Sequence, residues 1–278
     1  MRLQRLSRHT AGTQAPARLA NAMISARDWP AQQIEQAIAP DLPDFHFEVL
    51  AQIDSSNSEL MRRARDGQIQ PVLLLAEHQS AGRGRLGRQW SSDFSFSLGL
   101  PLAPDDWSGL SLAVGLSIVQ SLHPDLRLKW PNDVWWQGRK LAGILIETAS
   151  FGSSRYVVVG VGINIRPRAG AGLATPPAWL QELLPDIDTT EALLKIAAPL
   201  VQTIKVFEQH GFAPFQAEFN RLDALRNVSV TLSNGTVGIA QGVDRSGALQ
   251  LETAQGLIRV TSAEVSVRPL GASSADPS

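Results

Sequence analysis

Ala81-Gly82-Arg83-Gly84-Arg85-Leu86-Gly87-Arg88-Gln89-Trp90 sets three glycines and three arginines within the seven residues from Gly82 to Arg88. What flanks this stretch decides the fold. Ahead of it, Val72-Leu73-Leu74-Leu75-Ala76 reads as a buried strand. Gly82, Gly84 and Gly87 also fit G-x-G-x-x-G, the dinucleotide-binding pattern. That pattern needs a helix directly after it, whose N-terminus holds the pyrophosphate. Here Ser91 to Leu98 follows, alternating apolar and polar residues as a strand does. The nicotinamide reading is therefore set aside in favour of strand, loop, strand. Glycines let a backbone approach a ligand closely, and arginines offer fixed charge and paired donors for phosphate or carboxylate. The loop reads as a clamp on an anionic small molecule; the bland alternative is a solvated basic hairpin tip. With its glycines and mutually repelling arginines, the loop is expected to stand open until an anion binds.

The chain has 278 residues, room for one large domain and a small one. Formal net charge is -1, so the basic loop is local and no global pull toward nucleic acid or membrane exists. The absence of cysteine excludes disulfides, thiolate catalysis and cysteine metal sites, and agrees with a cytoplasmic location. No apolar run is long enough for a membrane helix, and no signal core follows the basic N-terminus.

Residues 1–44 are expected to form an N-terminal extension, poorly ordered at first, with one short helix between Pro30 and Ala39. Phe47 to Asp54 reads as a strand. A helix follows, with Ser56 and Glu59 as a capping box and Gly67 as its stop. Leu110 to Leu122 reads as a buried helix. Val134 to Trp136, a turn at Gln137-Gly138-Arg139 and Lys140 to Glu147 read as a hairpin. Tyr156 to Ile165 is a strand apolar on both faces, so both must be covered. Arg166 to Pro185 reads as a surface excursion, Thr190 to Gln209 as a helix and Phe212 to Leu225 as another. From Asn227 the chain turns to short strands punctuated by Asn234-Gly235, Ser246-Gly247 and Gln255-Gly256, the pattern of a small barrel of about five strands. The last eight residues read as a tail.

No P-loop, nucleophile elbow or zinc-binding His pair occurs, and the five histidines lack ligand spacing. What remains is positive charge on glycine-bearing strands: Arg83, Arg85, Arg88, Lys129 and Lys140. Cations without a nucleophile suit chemistry done by positioning and charge neutralisation, such as nucleotidyl transfer to a carboxylate.

Five motifs, Asp54-Ser55-Ser56-Asn57, the Gly82–Trp90 loop, Lys129-Trp130-Pro131-Asn132-Asp133, Lys140-Leu141-Ala142-Gly143-Ile144-Leu145-Ile146-Glu147 and Gly160-Val161-Gly162-Ile163-Asn164, resemble those of biotin–protein ligases, also called biotin–[acetyl-CoA-carboxylase] ligases. The resemblance covers roughly residues 47–270. It implies an α/β catalytic domain over residues 45–225, a mixed sheet backed by helices, then a small SH3-like β-barrel over 226–270 and a tail over 271–278. It implies activation of biotin by ATP to biotinyl-AMP, then transfer to a lysine of a carrier, the biotin carboxyl carrier protein of acetyl-CoA carboxylase. Under that resemblance, Ser55, Ser56, Asn57 and Gln79 meet the ureido ring, and Arg83, Gly84 and Arg85 fold over the ligand. Arg85 is assigned to the adenylate phosphate. Lys140 faces carboxylate and α-phosphate, and Gly143, Gly160 and Gly162 let the ligand approach bare backbone, with close packing as their alternative. Trp90 covers the adenine or anchors the loop, with core packing as its alternative. Asn132 and Asp133 bind magnesium–ATP or assist the incoming amine, and Asn164 touches ribose or adenine. The family usually has threonine where this chain has Ser56.

Lipoate–protein ligases share the adenylation logic, but their loop resembles arginines followed by Ser-Gly-Gly-Gly. A biotin-sensing repressor would need a winged helix-turn-helix, and the roughly 45 residues before the core carry one weak helix and no recognition-helix pattern. No nucleic-acid partner is expected.

Overall fold

The alternation Phe94-Ser95-Phe96-Ser97-Leu98-Gly99-Leu100 builds a strand buried along its length, large side chains on one face and small residues on the other. In the computed structural model, which describes residues 28–151, 154–168, 175–261 and 267–270, that strand lies inside a seven-stranded sheet. The strands are β1 (His46–Ile53), β2 (Val72–Gln79), β3 (Phe94–Pro101), β4 (Arg127–Lys129), β5 (Asp133–Trp136), β6 (Arg139–Phe151) and β7 (Ser154–Ile163). They pair in the order β1-β2-β3-β7-β6-β5-β4. β1 and β2 run parallel, joined by helix α2 (Ser56–Arg65); the other pairs are antiparallel.

The two faces of this sheet are covered differently. Phe96, Leu98 and Leu100 of β3 and Val157, Val159 and Val161 of β7 face the main core, with α1 (Ala31–Ile38), α3 (Leu110–Leu122) and α4 (Thr189–His210) behind them. Helix α3 is apolar nearly all round, as a helix must be when sheet and helix enclose it. On the other face, α2 packs Leu60, Met61 and Ala64 on Leu74, Tyr156 and Val158. Its N-terminus reaches beyond them, over the small residues of β3 and β7.

After α5 (Gln216–Leu222), a second, antiparallel sheet forms from β8 (Ser229–Leu232), β9 (Val237–Val243), β10 (Leu249–Thr253), β11 (Gly256–Val260) and β12 (Val267–Pro269), in the order β11-β10-β9-β8-β12. Its inner residues Val230, Leu232, Ala240, Leu249 and Leu251 join the same apolar core as the large sheet. Trp130, fully buried, donates from Nε1 to the Gly247 carbonyl at 3.0 Å. The small sheet is thus fused to the large one.

Several local expectations change. The helix expected over Phe212–Leu225 ends at Leu222. The segment expected as a surface excursion instead buries Pro177, Ala178 and Leu180; residues 169–174 lie outside the described residues. The N-terminal 27 residues and the tail expected over 271–278 also lie outside them. Among the described residues no helix is long and apolar enough to cross a membrane.

Asp223 sits at the junction of the two sheets. One oxygen accepts the Leu225 N–H at 2.9 Å, and the other has no hydrogen-bond partner. Burial pushes this carboxyl up to about 6, against weaker opposing pulls from that N–H, Arg226 and Lys129. The fold therefore binds a proton there more tightly than the unfolded chain does. Its stabilising contribution is complete below about pH 4 and is lost as pH rises toward 6. Asp223→Asn should flatten this dependence, gaining up to about 3 kcal/mol over wild type at pH 7 and little at pH 4. Thermal melts across that range measure it; parallel melting curves at both pH values would refute the assignment.

Candidate active site

Register assembles the floor of the site. Ser95 of β3 pairs with Gly162 of β7, which pairs with Gly143 of β6; Ser97, Gly160 and Leu145 form the next row. Small residues in these rows leave a trough that other side chains fill. A Cβ at Gly160 would run into the Asn57 amide, and one at Gly162 into Trp90 Nε1. These two glycines seat Asn57 and Trp90; the sequence-level expectation of bare backbone facing a ligand gives way, at these positions, to side-chain cover.

Above the floor runs a polar belt. Ser55, not Ser56, caps α2, accepting the Ser58 N–H at 3.4 Å. Ser56 is thereby turned inward, and its N–H and hydroxyl both donate to Gln79 Oε1, at 2.7 and 3.0 Å. Ser97 Oγ lies 2.7 Å from Ser56 Oγ and 2.6 Å from Asn57 Oδ1. Asn57 Nδ2 donates to Glu147 at 3.0 Å and to the Leu145 carbonyl at 3.3 Å. Three oxygen–oxygen contacts, Gln79–Ser56, Ser56–Ser97 and Ser97–Asn57, share two hydroxyl protons. The belt is rich in acceptors and suits a neutral ligand that brings N–H donors.

A cationic wall stands across the trough. Asp133 lies between two ammonium groups, Lys140 Nζ at 2.6 Å and Lys129 Nζ at 3.6 Å. The Lys140 contact is an ion pair without an aligned hydrogen bond. Burial pulls the Lys129 and Arg85 pKa values down, partly countered by the Asp133 charge. Lys140 reaches this wall because β6 bulges. Val134 pairs with Ala142 and Trp135 with Lys140, so Leu141 is an extra residue. The bulge reverses strand parity and places Lys140 on the face of Gly143, its Nζ 3.2 Å from where a Gly143 Cβ would stand. Lys140 Nζ also lies 4.5 Å from the centroid of a Trp90 ring.

The wall divides two cavities. One, of about 140 Å³, is lined by Ser55, Ser56, Asn57 and Gln79 of the belt, by Arg83, Gly84 and Arg85, and by Phe96, Leu145 and Val161. The other, of about 410 Å³, is lined by Trp135, Asn164, Arg168, Pro176, Pro177 and Arg268. Trp90, Lys129, Asp133 and Lys140 line both. Asn132 belongs to the first cavity; its amide donates to the Ile144 carbonyl at 2.9 Å and accepts from Arg85 at 3.4 Å. Asn164 is buried, its amide donating to the Ala178 carbonyl at 2.9 Å and accepting from Arg168 at 2.9 Å. Asn132 and Asp133 do not suit a divalent cation. The carboxylate is already paired with two lysines, and Arg85 faces the amide oxygen.

The Gly-Arg loop is a closed hairpin. Gly84 N–H donates to the Arg88 carbonyl at 2.7 Å and Trp90 N–H to that of Gly82 at 2.9 Å. Leu86 and Gly87 turn through positive φ. Arg83 bonds Glu147 with both nitrogens, at 2.8 and 3.2 Å. An open loop was expected because its arginines lack an anion; Glu147 supplies one from β6.

The structure thus gathers every residue singled out from the sequence around these two cavities. Ser95, Ser97 and Glu147 were missed. The small-residue alternation of β3 was visible, but its destination depends on register. Lys129 was noted only as a cation.

Glu147→Gln should keep the Asn57 contact and loosen Arg83. Trypsin should then cut after Arg83, Arg85 or Arg88 several-fold faster than in wild type. Equal rates would mean this ion pair does not hold the loop.

With this geometry in view, residues 50–164 match the model of the biotin/lipoate A/B protein ligase family, and residues 226–268 that of the biotin protein ligase C terminal domain. The chain is 37% identical to the bifunctional ligase/repressor BirA of Escherichia coli, over 73% of this chain and 68% of that one. It is 34% identical to the biotin–[acetyl-CoA-carboxylase] ligase of Mycobacterium tuberculosis, over 79% and 88% respectively. The solved biotin protein ligase from Aquifex aeolicus in complex with biotin and ATP superposes with a TM-score of 0.68 at 27% identity, covering 80% of this chain and 98% of that one. These matches, over most of the length of relatives at 34–37% identity, show that the chain belongs to the biotin/lipoate A/B protein ligase family.

Proposed function

We propose that this protein is an ATP-dependent biotin–protein ligase: it forms biotinyl-AMP and transfers the biotinyl group to a lysine of the biotin carboxyl carrier protein of acetyl-CoA carboxylase. The observation that carries the reading is the wall of Lys129, Asp133, Lys140 and Trp90 shared by two cavities. The first cavity suits biotin. Its ureido ring brings two N–H donors and one acceptor to a belt short of protons. A lipoyl ring brings no N–H donor, which favours biotin over lipoate. The side chain of biotin would run past Leu145 and the small-residue rows of β3 and β7 toward Lys140. The second cavity suits the nucleotide, with the adjoining Arg268 of β12 giving the small sheet a share in it. On this reading the catalytic unit spans residues 45–225 and the small domain 226–270.

The wall then lies where carboxylate and α-phosphate meet. A carboxylate oxygen attacks the α-phosphorus as the bond to pyrophosphate breaks. Lys140, Lys129 and Arg85 offset the negative charge, and no group on the protein is covalently modified. In the second step the carrier amine attacks the acyl carbon and AMP departs. Asp133 is the one carboxylate lining either cavity among the described residues, so it is assigned to receive the amine proton.

Incubating a carrier domain with the protein, ATP and biotin should add one biotin to one lysine by mass spectrometry; an unmodified carrier would refute the proposal. Lys140→Ala should slow biotin-dependent pyrophosphate release about a hundred- to a thousandfold, the usual effect of losing one preorganised charge donor. A rate within threefold of wild type would remove Lys140 from the site.

A further inference from the structure

Arg139 opens β6, beside Lys140, and points away from the wall. Its guanidinium lies 5.1 Å from the Trp136 ring centroid and 5.7 Å from that of Trp179. It also donates to both Glu182 oxygens, at 2.9 and 2.6 Å. Glu182 in turn accepts the Trp179 N–H at 3.2 Å, and Arg139 reaches the Pro177 carbonyl at 3.4 Å. The cluster is partly buried, with Arg139 at 27% and Glu182 at 18% side-chain exposure, so this bidentate, stacked pair is shielded more than an ordinary surface ion pair.

What the cluster holds is the segment from Pro176 to Glu182. That segment forms a parallel bridge with Lys140: Lys140 N–H donates to the Pro176 carbonyl at 2.9 Å, and Ala178 N–H to the Lys140 carbonyl at 2.8 Å. It therefore grips the backbone at the bulge that turns Lys140 inward, while Pro176 and Pro177 line the larger cavity. The sequence placed Arg139 in a turn. In the structure Gln137 and Gly138 make the turn with φ of 49 and 74, and Arg139 begins the strand.

We infer that Arg139, with Trp179 and Glu182, is a positioning element for the nucleotide side of the reaction: it fixes the Pro176–Pro177 wall of the larger cavity. The inference rests on the proposed ligase reading in taking ATP as the occupant. Arg139 touches no reacting atom. Its loss should leave the belt across the wall unaffected, because none of the belt residues contacts this cluster in the hydrogen bonds described.

The test uses the full chain and Arg139→Ala, Arg139→Lys and Glu182→Gln. ATP and biotin affinities are measured separately by calorimetry, alongside KM and kcat for biotin-dependent pyrophosphate release. Arg139→Ala should weaken ATP binding and raise its KM about ten- to a hundredfold, the scale on which a small misplacement acts. Biotin affinity should stay within twofold. Arg139→Lys should behave nearly as Ala, since an ammonium cannot stack between two indoles and fork onto a carboxylate. Glu182→Gln should show a weaker change of the same kind. A KM for ATP within twofold of wild type, full rescue by Lys, or equal losses for ATP and biotin would each overturn the inference. Wild type that binds ATP but releases no pyrophosphate would refute the ligase reading instead, and the ATP affinities of the variants would still decide the role of Arg139.

Discussion

Asp133 between Lys129 and Lys140 is the constraint on which the site depends. One carboxylate holds two ammonium groups, with Arg85 close by, at a place where burial already disfavours charge. The balance is net positive, so the wall attracts an anion and gains from one more negative charge. Removing Asp133 would leave partly buried lysines without a counter-ion, a change that costs about 3–5 kcal/mol in buried pairs. Chemistry that passes negative charge across this wall needs no protein nucleophile.

The wall is useful only because the strands beneath it are narrow. Ser95, Ser97, Gly143, Gly160 and Gly162 share one face of three neighbouring strands. Large residues on the opposite face keep the sheet anchored in its core. Stability and site are thus built on opposite sides of the same strands. The N-terminus of α2 and the Gly-Arg loop descend into the trough from either end, and Glu147 links them by bonding both Asn57 and Arg83.

The small C-terminal sheet is part of this arrangement. It shares the core, takes a hydrogen bond from Trp130 in the Lys129–Asp133 motif, and lends Arg268 to the larger cavity. An unprotonated Asp223 at the junction works against the fold at neutral pH, so the junction is held by apolar packing and not by charge.

Local pattern alone determined much of this protein. The bounds of α3, the strand after the Gly-Arg loop, the hairpin ahead of Lys140 and the strands after Asn227 follow from periodicity and turn residues, which act within a few positions of the chain. The motifs named most of the residues around the smaller cavity, but of the larger one not Trp135, Arg168, Pro176, Pro177 or Arg268. Tertiary structure decided the rest, because it depends on partners distant in sequence. Which face Ser97 and Gly160 share is a matter of register between β3 and β7. Lys140 faces the site because Leu141 bulges against β5, a shift of one residue that reverses every side chain beyond it. Lys129 is buried because β4 is covered, and the loop lies closed because Glu147, 64 positions beyond Arg83, supplies its counter-charge. Sequence spacing carries no information about such pairings, since each exists only once the strands have met.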